Sequence, residues 1–437
     1  MADATVIGAG LAGCEAAHAL SRMGLHVKLC EMKPVRRSPA HRSDLFCELV
    51  CSNSLRSNKL DNAVGLLKEE LRRLGSLVME CADKTAVPAG GALAVDREGF
   101  ARAVTDAIRN DPNIKIVTEE ITEIPDGPTI IATGPLTDGA LLKSIEDMLG
   151  ESLHFFDAAA PIVTLESLDM TKVFRASRYE RGNDYLNCPM TRLEYFNFVR
   201  ALLAAETAPL HEFEKTKVFE GCMPVEAMAR RGDMTLAYGP MKPVGLGDCK
   251  ASNGKPPFAV VQLRQDNAEG TLFNIVGFQT NLKFGEQKRV FGMIPGLENA
   301  EYVRYGVMHR NSFLQSPKHL TPIYSLRNRP ETYLAGQITG VEGYIESASS
   351  GLVAGMNLGR ILNGKPPVDL SRKTAIGALA HYVSEYNGGS FQPMNANFGI
   401  MESIPDAPKD RFKRYTALSE RALEVIDRII KEEDPWK

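Results

Sequence analysis

The sequence predicts an α/β protein in which a Rossmann-like domain is split by an α+β insertion domain. Two observations carry this prediction. A glycine cluster between a β-prone run and a helical pattern lies near each end of the chain, at residues 8–13 and 336–346. In the middle third of the chain, the sequence pattern changes: glycine, proline and polar turn residues become frequent and separate short strand-like runs. We therefore expect a discontinuous first domain, residues 1–165 and 320–437, and an insertion domain, residues 166–319.

The elements of the first domain follow from local patterns of apolar residues. Aliphatic and β-branched runs between turn residues predict strands, and apolar residues at helical spacing predict helices. Gly24 stops the first helix, and Asp96 is placed to cap the helix that starts at Arg97. The expected elements are strands at 4–7, 26–31, 92–95, 114–118 and 129–132, and helices at 11–23, 62–74 and 97–109.

The later elements are placed in the same way. Runs at 258–263 and 272–276 predict strands of the insertion, and a strand at 332–335 followed by a long helix marks the return of the α/β pattern. The last helix is expected from about 409 to 432. The polar stretch 32–59 is long for a loop inside a compact domain, which indicates a functional segment.

The composition is that of an ordinary globular chain and excludes several classes of protein. Of 437 residues, 44% are hydrophobic and 24% are charged, and the net charge is -3, so no disordered or globally basic chain is indicated. No apolar run approaches a membrane span, and the N-terminus lacks the basic segment of a signal peptide. The eight cysteines form no CxxC pair, and no metal site is expected. We expect a cytoplasmic protein with reduced thiols, no membrane contact and no obligate protein partner.

The first glycine cluster has the pattern of a dinucleotide cradle. Gly8 allows a tight turn, Gly10 lets the backbone approach a pyrophosphate, and Gly13 lets the helix and strand pack closely. Glu31 ends the second strand, where a carboxylate accepts from a ribose hydroxyl, as FAD or NAD requires and NADP does not. The candidate contacts are Gly8, Ala9, Gly10, Leu11, Ala12, Gly13 and Glu31.

The second glycine cluster again follows a strand and opens a helix. Two cradles about 330 residues apart suit a long dinucleotide such as FAD better than NAD. Three further glycines, Gly351, Gly355 and Gly359, line one helix face and are interpreted as packing residues. The candidate contacts here are Gly336, Gln337, Glu342, Gly343, Tyr344, Ile345 and Glu346, and those elsewhere are Ser52, Asn53 and Gly134.

Several segments are more specific than either cradle. Together they span nearly the whole chain, and they include ELVCSNSLRS, FEGCMPVE, VVQLRQDN, GQITGVEGYIESASSGLVAG and FQPMNANFGIM. These segments resemble the folate- and FAD-dependent tRNA (uracil-C5)-methyltransferases, the TrmFO family, which is related to the GidA/MnmG flavoproteins. Asn281 and Phe284 stand where a His and a Trp are common in that family.

The resemblance implies an activity and its cofactors. The reaction forms 5-methyluridine at uracil 54 in the T loop of tRNA. The methylene carbon comes from 5,10-methylenetetrahydrofolate and is reduced by FADH2, which NAD(P)H regenerates. Within the enzyme class, a paralogue acting on ribosomal RNA remains open. From another class, a flavin-binding RNA-interaction protein without turnover remains open.

The resemblance also assigns roles to two cysteines. Cys222 is the nucleophile that adds to C6 of the uracil, and Cys51 is the candidate acceptor of the C5 proton. Cys51 follows the first cradle, and Ser52 to Ser54 are placed to cap a short helix whose N-terminus favours a thiolate. A rival reading pairs Cys47 with Cys51 as a redox disulfide, at neighbouring positions of a helix. Against it, flavin disulfide reductases usually have four residues between the cysteines, and here there are three.

The remaining candidates concern folate and RNA. By resemblance, His309 lies in a segment that lines the flavin pocket and is placed to stack on the folate pterin. Between residues 283 and 329, Lys and Arg outnumber Asp and Glu eight to three, which indicates a local basic face for RNA phosphates. The candidate RNA contacts are Lys283, Lys288, Arg289 and Arg310.

Overall fold

The structure is a computed structural model of the 437-residue chain. It describes residues 2–38, 40–150, 153–180, 182–208, 223–246, 249, 251, 253–389 and 391–436. Cys222 lies outside the described residues, and so do the side chains of His309 and Arg310.

The strands and helices of the described residues have the following bounds. The strands are β1 (Ala4–Ile7), β2 (Val27–Glu31), β3 (Ser54–Ser57), β4 (Ala86–Val87), β5 (Ala92–Val95), β6 (Ile114–Thr118), β7 (Thr129–Ile131), β8 (Leu153–Ala158), β9 (Ile162–Thr164), β10 (Phe174–Arg175), β11 (Tyr185–Met190), β12 (Ala259–Gln265), β13 (Leu272–Ile275), β14 (Tyr302–Arg304), β15 (Met308–Phe313) and β16 (Thr332–Leu334). The helices are α1 (Leu11–Arg22), α2 (Ala63–Arg73), α3 (Leu77–Lys84), α4 (Arg97–Arg109), α5 (Gly139–Leu149), α6 (Arg192–Leu203), α7 (Val225–Ala229), α8 (Thr235–Tyr238), α9 (Phe284–Phe291), α10 (Tyr344–Leu362), α11 (Ala375–Glu385) and α12 (Arg411–Glu432).

A five-stranded parallel sheet forms the centre of the first domain, in the order β16-β7-β1-β2-β6. Its strands are apolar and buried, as expected for a parallel sheet covered by helices, and Val6, Leu29 and Ile130 are fully buried. Because β16 follows the insertion in sequence but completes this sheet, the first domain is discontinuous. The predicted fold class, a Rossmann-like domain split by an α+β insertion, is confirmed.

The helices α1 and α10 pack closely, and a row of three glycines on α10 lies in the contact. A Cβ atom at Gly351 would lie 2.1 Å from the carbonyl oxygen of Ala12, and one at Gly355 would lie 2.6 Å from that of Ala16. At Gly359 the nearest atom is the Met23 sulfur, at 2.6 Å. The three glycines are therefore packing residues.

Alanine substitutions along this row should have graded effects. We expect Gly351→Ala to lower the free energy of unfolding by about 3 kcal/mol or more, because the added methyl group meets rigid backbone. Gly359→Ala should cost about 1 kcal/mol or less, because a flexible thioether can move aside. Urea unfolding followed by circular dichroism measures both. Equal losses would contradict the packing explanation.

The insertion forms a second sheet with its own core. Its six strands lie in the order β10-β11-β12-β13-β9-β14, and each strand is antiparallel to its neighbours. Helices α6 and α9 pack against each other, and the buried aromatic rings of this core include Phe198, Phe278 and Phe291. In sequence, β8 comes directly before the strand β9 and β15 comes directly after the strand β14, and β8 and β15 pair with each other in antiparallel orientation. Since β9 pairs in the second sheet, we propose domain boundaries at this strand pair rather than at residues 165 and 320.

Candidate active site

The first glycine cluster forms a tight turn between β1 and α1. Gly8 has a φ of +97°, and a Cβ atom there would lie 2.7 Å from the carbonyl oxygen of Ala132. A Cβ atom at Gly13 would lie 1.8 Å from the carbonyl oxygen of Gly8, so this position holds the turn against the helix. At Gly10, by contrast, nothing lies within 4 Å of a Cβ atom. The turn is therefore closed on the protein side and open at Gly10.

Glu31 fixes this turn from the end of β2. Its buried carboxylate accepts hydrogen bonds from the backbone N–H of Ala9, at 2.8 Å, and of Lys33, at 3.0 Å. The Lys33 ammonium is itself held by the carbonyl oxygen of Leu45. A carboxylate has about four acceptor positions, so two remain for ribose hydroxyls.

The second glycine cluster opens onto the same cavity. Gly336, Gly340 and Gly343 have φ values of +86°, +85° and +127°, which only glycine adopts readily. The N-cap residues of α1 and α10, Gly10 and Gly343, have no side chain to cap the helix, so the first turns can offer backbone N–H groups to a ligand. Both helices contribute residues of their first turn to the cavity wall. The residues that line this cavity include Gly8, Ala9, Gly10, Leu11, Ala12, Glu31, Lys33, Ser38, His41, Glu48, Val50, Gly134, Gly336, Gln337, Tyr344 and Ser347.

Four candidates from the second cluster lie behind this wall. Glu346 is fully buried and accepts from the Arg56 guanidinium and the Ala396 N–H, both at 3.1 Å, and burial raises the pKa of its carboxyl. Ile345 belongs to the hydrophobic core. The residues outside the cavity lining are Glu342, Gly343, Ile345 and Glu346. These four residues lie at the N-terminus of α10 without lining the cavity, so their role there is structural support.

The loop that carries Cys51 lies against the start of α10. The Cys51 N–H donates to the Tyr344 hydroxyl at 2.8 Å, and the Cys51 thiol donates to the carbonyl oxygen of Ala158 at 3.5 Å. The helix expected after Cys51 is wrong, because residues 54–57 form β3 instead. The Ser52 N–H also donates to Tyr344, at 3.3 Å, so both N–H groups share one phenol oxygen as acceptor.

Three arginines hold the same loop, and two of them, Arg264 and Arg304, are buried. Arg264 donates to the Asn53 side chain at 3.0 Å and to the Ser52 hydroxyl at 2.7 Å, and Arg304 donates to the carbonyl oxygen of Val50. The third, Arg97, donates to the carbonyl oxygen of Leu49 and pairs with Asp266 through two hydrogen bonds, at 3.0 and 2.9 Å. The charged groups in these contacts are three guanidinium groups and the carboxylate of Asp266.

Sequence reasoning missed these arginines. They come from α4, β12 and β14, and nothing in their local sequence indicates that they meet at residues 49–53. Ser52 and Asn53 were predicted as cofactor contacts, and in the structure their side chains bind Arg264. Asn53 is fully buried and also donates to the carbonyl oxygens of Val95 and Gln265. Both residues therefore support the loop.

Replacing Arg264 should separate support of the loop from cofactor binding. Because its hydrogen bonds are charge-assisted and buried, we expect Arg264→Met to lower the free energy of unfolding by about 1.5–3 kcal/mol. Bound flavin should be retained, since the cavity wall does not include Arg264. The exposed Arg200 of α6 provides a control, and Arg200→Met should change stability by about 0.5 kcal/mol or less. Loss of flavin in Arg264→Met would contradict this division.

The structure disfavours a redox pair of Cys47 and Cys51. Cys47 is buried, has a φ of +51° and lies in no helix, and its N–H donates to the carbonyl oxygen of Ala9. Burial, with a contact to Cys14, raises the pKa of the Cys47 thiol well above its ordinary value. The two thiols have separate partners, and all cysteines among the described residues are free.

Comparisons with known proteins agree with this geometry. Residues 3–366 match the family model described as "Glucose inhibited division protein A". Curated relatives named methylenetetrahydrofolate--tRNA-(uracil-5-)-methyltransferase TrmFO are 60% identical over 96% of this chain (Acetivibrio thermocellus, 97% of the relative) and 58% identical over 98% (Bacillus velezensis, 98% of the relative).

This chain belongs to the TrmFO family. The resemblance drawn from its sequence is thereby confirmed. Two crystal forms of Aquifex aeolicus GidA share the fold, with TM-scores of 0.68 and 0.69 at 17% and 18% identity. Each covers the whole of this chain, which spans 77% and 79% of the GidA chains. Within the described ranges, no helix is long and apolar enough to cross a membrane, and no three His, Cys, Asp or Glu side chains are grouped to hold a metal ion.

In this TrmFO chain, the described residues after Cys222 are tied to the Cys51 loop. Glu226 is buried, accepts from the Thr280 hydroxyl at 2.8 Å and from the Asn281 N–H at 2.7 Å, and burial raises the pKa of its carboxyl. The Thr280 N–H donates to Ala159, the neighbour of the residue that accepts the Cys51 thiol. A short hydrogen-bonded path therefore links the segment next to Cys222 to Cys51.

The RNA contacts predicted on α9 are partly neutralised in this TrmFO chain. Lys283 pairs with Glu206 and Arg289 pairs with Glu286, each at 2.5 Å, whereas Lys288 is exposed. Phe284, at the start of α9, stacks on Tyr305 with ring centroids 4.7 Å apart. The segment thus offers an exposed ring with little net charge beside it.

Proposed function

We propose that this chain methylates C5 of uracil 54 in the T loop of tRNA, with 5,10-methylenetetrahydrofolate as carbon donor. The observation that carries the proposal is identity of 56–60% to curated TrmFO enzymes over nearly the full chain. The structure adds a dinucleotide cavity with a cysteine loop beside it. The site of action is proposed as the cytoplasm, with NAD(P)H as reductant and no obligate protein partner.

The cavity fits FAD by its own geometry. Open space at Gly10 admits a pyrophosphate, and the uncapped N-termini of α1 and α10 supply N–H groups and positive helix ends for anionic parts of the cofactor. Glu31 is proposed to hold the ribose, and Gly134, Gly336, Gln337 and Tyr344 also line the cavity. When bound, reduced FAD supplies the hydride that completes the methyl group.

The chain's own residues carry the remaining steps. Uracil C5 is a poor nucleophile until a thiolate adds to C6, which is the role proposed for Cys222. C5 then bonds to the methylene carbon of the folate. Cys51 takes the C5 proton as the bond between the methylene carbon and the folate nitrogen breaks, which leaves an exocyclic methylene on C5. A hydride, which reduced FAD would supply, then adds to this carbon as the Cys222 thiolate leaves C6, and the C5–C6 double bond is restored.

Folate and RNA contacts complete the proposal. His309 is proposed to stack on the pterin of the folate. Lys283, Lys288, Arg289 and Arg310 are proposed to contact RNA phosphates, although two of them are paired with acids in the free protein. The target base is drawn out of its stack, because a thiolate must reach C6 from one face.

The test of this function is methyl transfer to an unmodified tRNA transcript. With methylenetetrahydrofolate and NADPH or NADH, we expect 5-methyluridine at position 54, and with S-adenosylmethionine alone we expect none. A transcript with cytidine at position 54 is the matched control. Methylation of a ribosomal RNA fragment and not of tRNA would favour the paralogue, and folate-independent transfer would overturn the proposal.

A further inference from the structure

A basic and aromatic cluster at the start of α12 has no part in the site described above. We define the α12 patch by the residues Phe398, Lys409, Arg411, Phe412, Lys413, Arg414 and Tyr415. Its four basic residues form no ion pair with any carboxylate of the described ranges, and three of them are exposed. Asp410, the acid among them, caps α12 by accepting from the Lys413 N–H at 2.9 Å. The patch therefore presents several positive charges without a carboxylate partner in the described ranges, on the first turn of α12 and just before it.

Two of the guanidinium groups of the patch lie over an aromatic ring. The guanidinium carbons of Arg411 and Arg414 lie 5.2 and 5.7 Å from the centroid of the Tyr415 ring. That ring stacks on Phe398, with centroids 4.3 Å apart and planes at 29°. A guanidinium held on a ring keeps its N–H donors free for a planar or tetrahedral oxyanion such as phosphate.

Hydrogen bonds connect the segments around the patch with the segment that carries Cys51. Phe398 lies two residues after Ala396, whose N–H donates to Glu346 at 3.1 Å, and the same carboxylate binds Arg56. Arg56 follows Cys51 by five residues, and about half of its side chain is exposed. In addition, the Ser419 hydroxyl of α12 donates to the carbonyl oxygen of Leu60 at 2.6 Å. A ligand on the patch would therefore lie along the edge that leads to the Cys51 loop.

We infer that the α12 patch binds the phosphate backbone of the RNA substrate next to the nucleotide that reacts. The partner's identity rests on the proposed function. Unpaired Lys and Arg side chains neutralise phosphates and release counterions, which is the main source of affinity for nucleic acid. Phe412, whose side chain is 63% exposed, adds a free ring face for a base or a sugar. The neutralised pairs on α9 make that segment the weaker electrostatic site.

The test compares charge reversals at the two ends of one helix. In the patch variant, Arg411→Glu is combined with Lys413→Glu. In the control, Arg428→Glu is combined with Lys431→Glu, which changes the net charge equally at exposed positions of the last two turns. Binding of an unmodified tRNA transcript is measured at several salt concentrations, with flavin content and melting temperature checked for each protein.

We expect the patch variant to bind tRNA roughly tenfold or more weakly at low salt, with a plot of log K against log salt shallower by about 1.5, as loss of two phosphate contacts requires. In steady-state methylation, KM for tRNA should rise more than kcat falls. Phe412→Ala should weaken binding without changing the salt dependence, because the ring carries no charge. The control pair should bind like the wild type.

Three outcomes would overturn the inference. Equal weakening by both pairs would mean that only net charge matters, and unchanged binding in the patch variant would exclude the surface. If Lys288→Glu with Arg289→Glu removes the salt dependence while the patch variant keeps it, RNA lies on α9. Failure of the wild type to methylate tRNA would count against the proposed function. The comparison of tRNA binding by the patch variant and the control variant would still test whether the α12 patch binds RNA.

Discussion

Gly10→Val should give a folded protein that binds no FAD. Gly10 has φ and ψ values of -78° and -173°, which valine adopts without strain, and a Cβ atom there meets nothing within 4 Å. The free energy of unfolding should therefore change by about 1 kcal/mol or less. The added isopropyl group fills the space where the backbone must approach a pyrophosphate. Flavin absorbance after purification, and titration of the apoprotein with FAD, measure the loss.

Two other glycines provide matched controls. Gly389 is exposed and also has open space around a Cβ atom, so Gly389→Val should retain FAD. Gly13→Val should fail differently, because its Cβ atom would collide with the Gly8 carbonyl and the fold itself should be lost. If Gly10→Val stays yellow with normal affinity, the pyrophosphate is not held at this turn.

The largest effects on catalysis are expected at Cys222 and Cys51. A tRNA transcript with 5-fluorouridine at position 54 should trap a covalent protein–RNA adduct, because fluorine cannot leave C5 as a proton does. Cys222→Ala should lose both the adduct and methylation, since no bond to C6 forms. Cys51→Ala should lose methylation and still form the adduct, because proton removal follows addition. Denaturing gels of the labelled transcript measure the adduct, and nucleoside analysis measures methylation.

Cys47→Ala is the matched control for the pair. Cys47 is buried beside Cys14, so its replacement should leave methylation nearly intact. A redox disulfide of Cys47 and Cys51 would make both replacements equally damaging. If Cys222→Ala still traps RNA and Cys51→Ala does not, the two proposed roles are reversed. If neither replacement affects methylation, the covalent mechanism is wrong for this protein.

Local signals in the sequence predicted the parts of the fold that depend on neighbours in the chain. The helix starting at Arg97 begins where expected, because the Asp96 carboxylate accepts from the Gly99 N–H at 3.0 Å. The strand at residues 114–118 is likewise confirmed at both ends. Both glycine turns were predictable, because the requirement for glycine arises within a few residues.

Contacts distant in sequence were not predictable in this way. The helix expected after Cys51 was wrong. The Cys51 N–H binds Tyr344 and the Ser52 hydroxyl binds Arg264, and both partners lie more than two hundred residues away, where no local pattern can show them. Glu346 fits the pattern of a cradle residue but faces Arg56 and Ala396 behind it. The charge count of residues 283–329 likewise could not show that Glu206 neutralises Lys283.

The hold of three arginines on residues 49–53 has a consequence for the order of folding. The loop belongs to the chain segment of the first core, yet two of its anchors, Arg264 and Arg304, lie on strands of the second sheet. Neither core alone contains all the donors that fix the loop. The hydrogen bonds that fix the loop are therefore complete only after both cores have formed and met. An early intermediate with a finished nucleotide cavity would still lack the hydrogen bonds of Arg264 and Arg304 to the loop that carries Cys51, so we expect the cysteine loop to reach its final position in the last stage of folding.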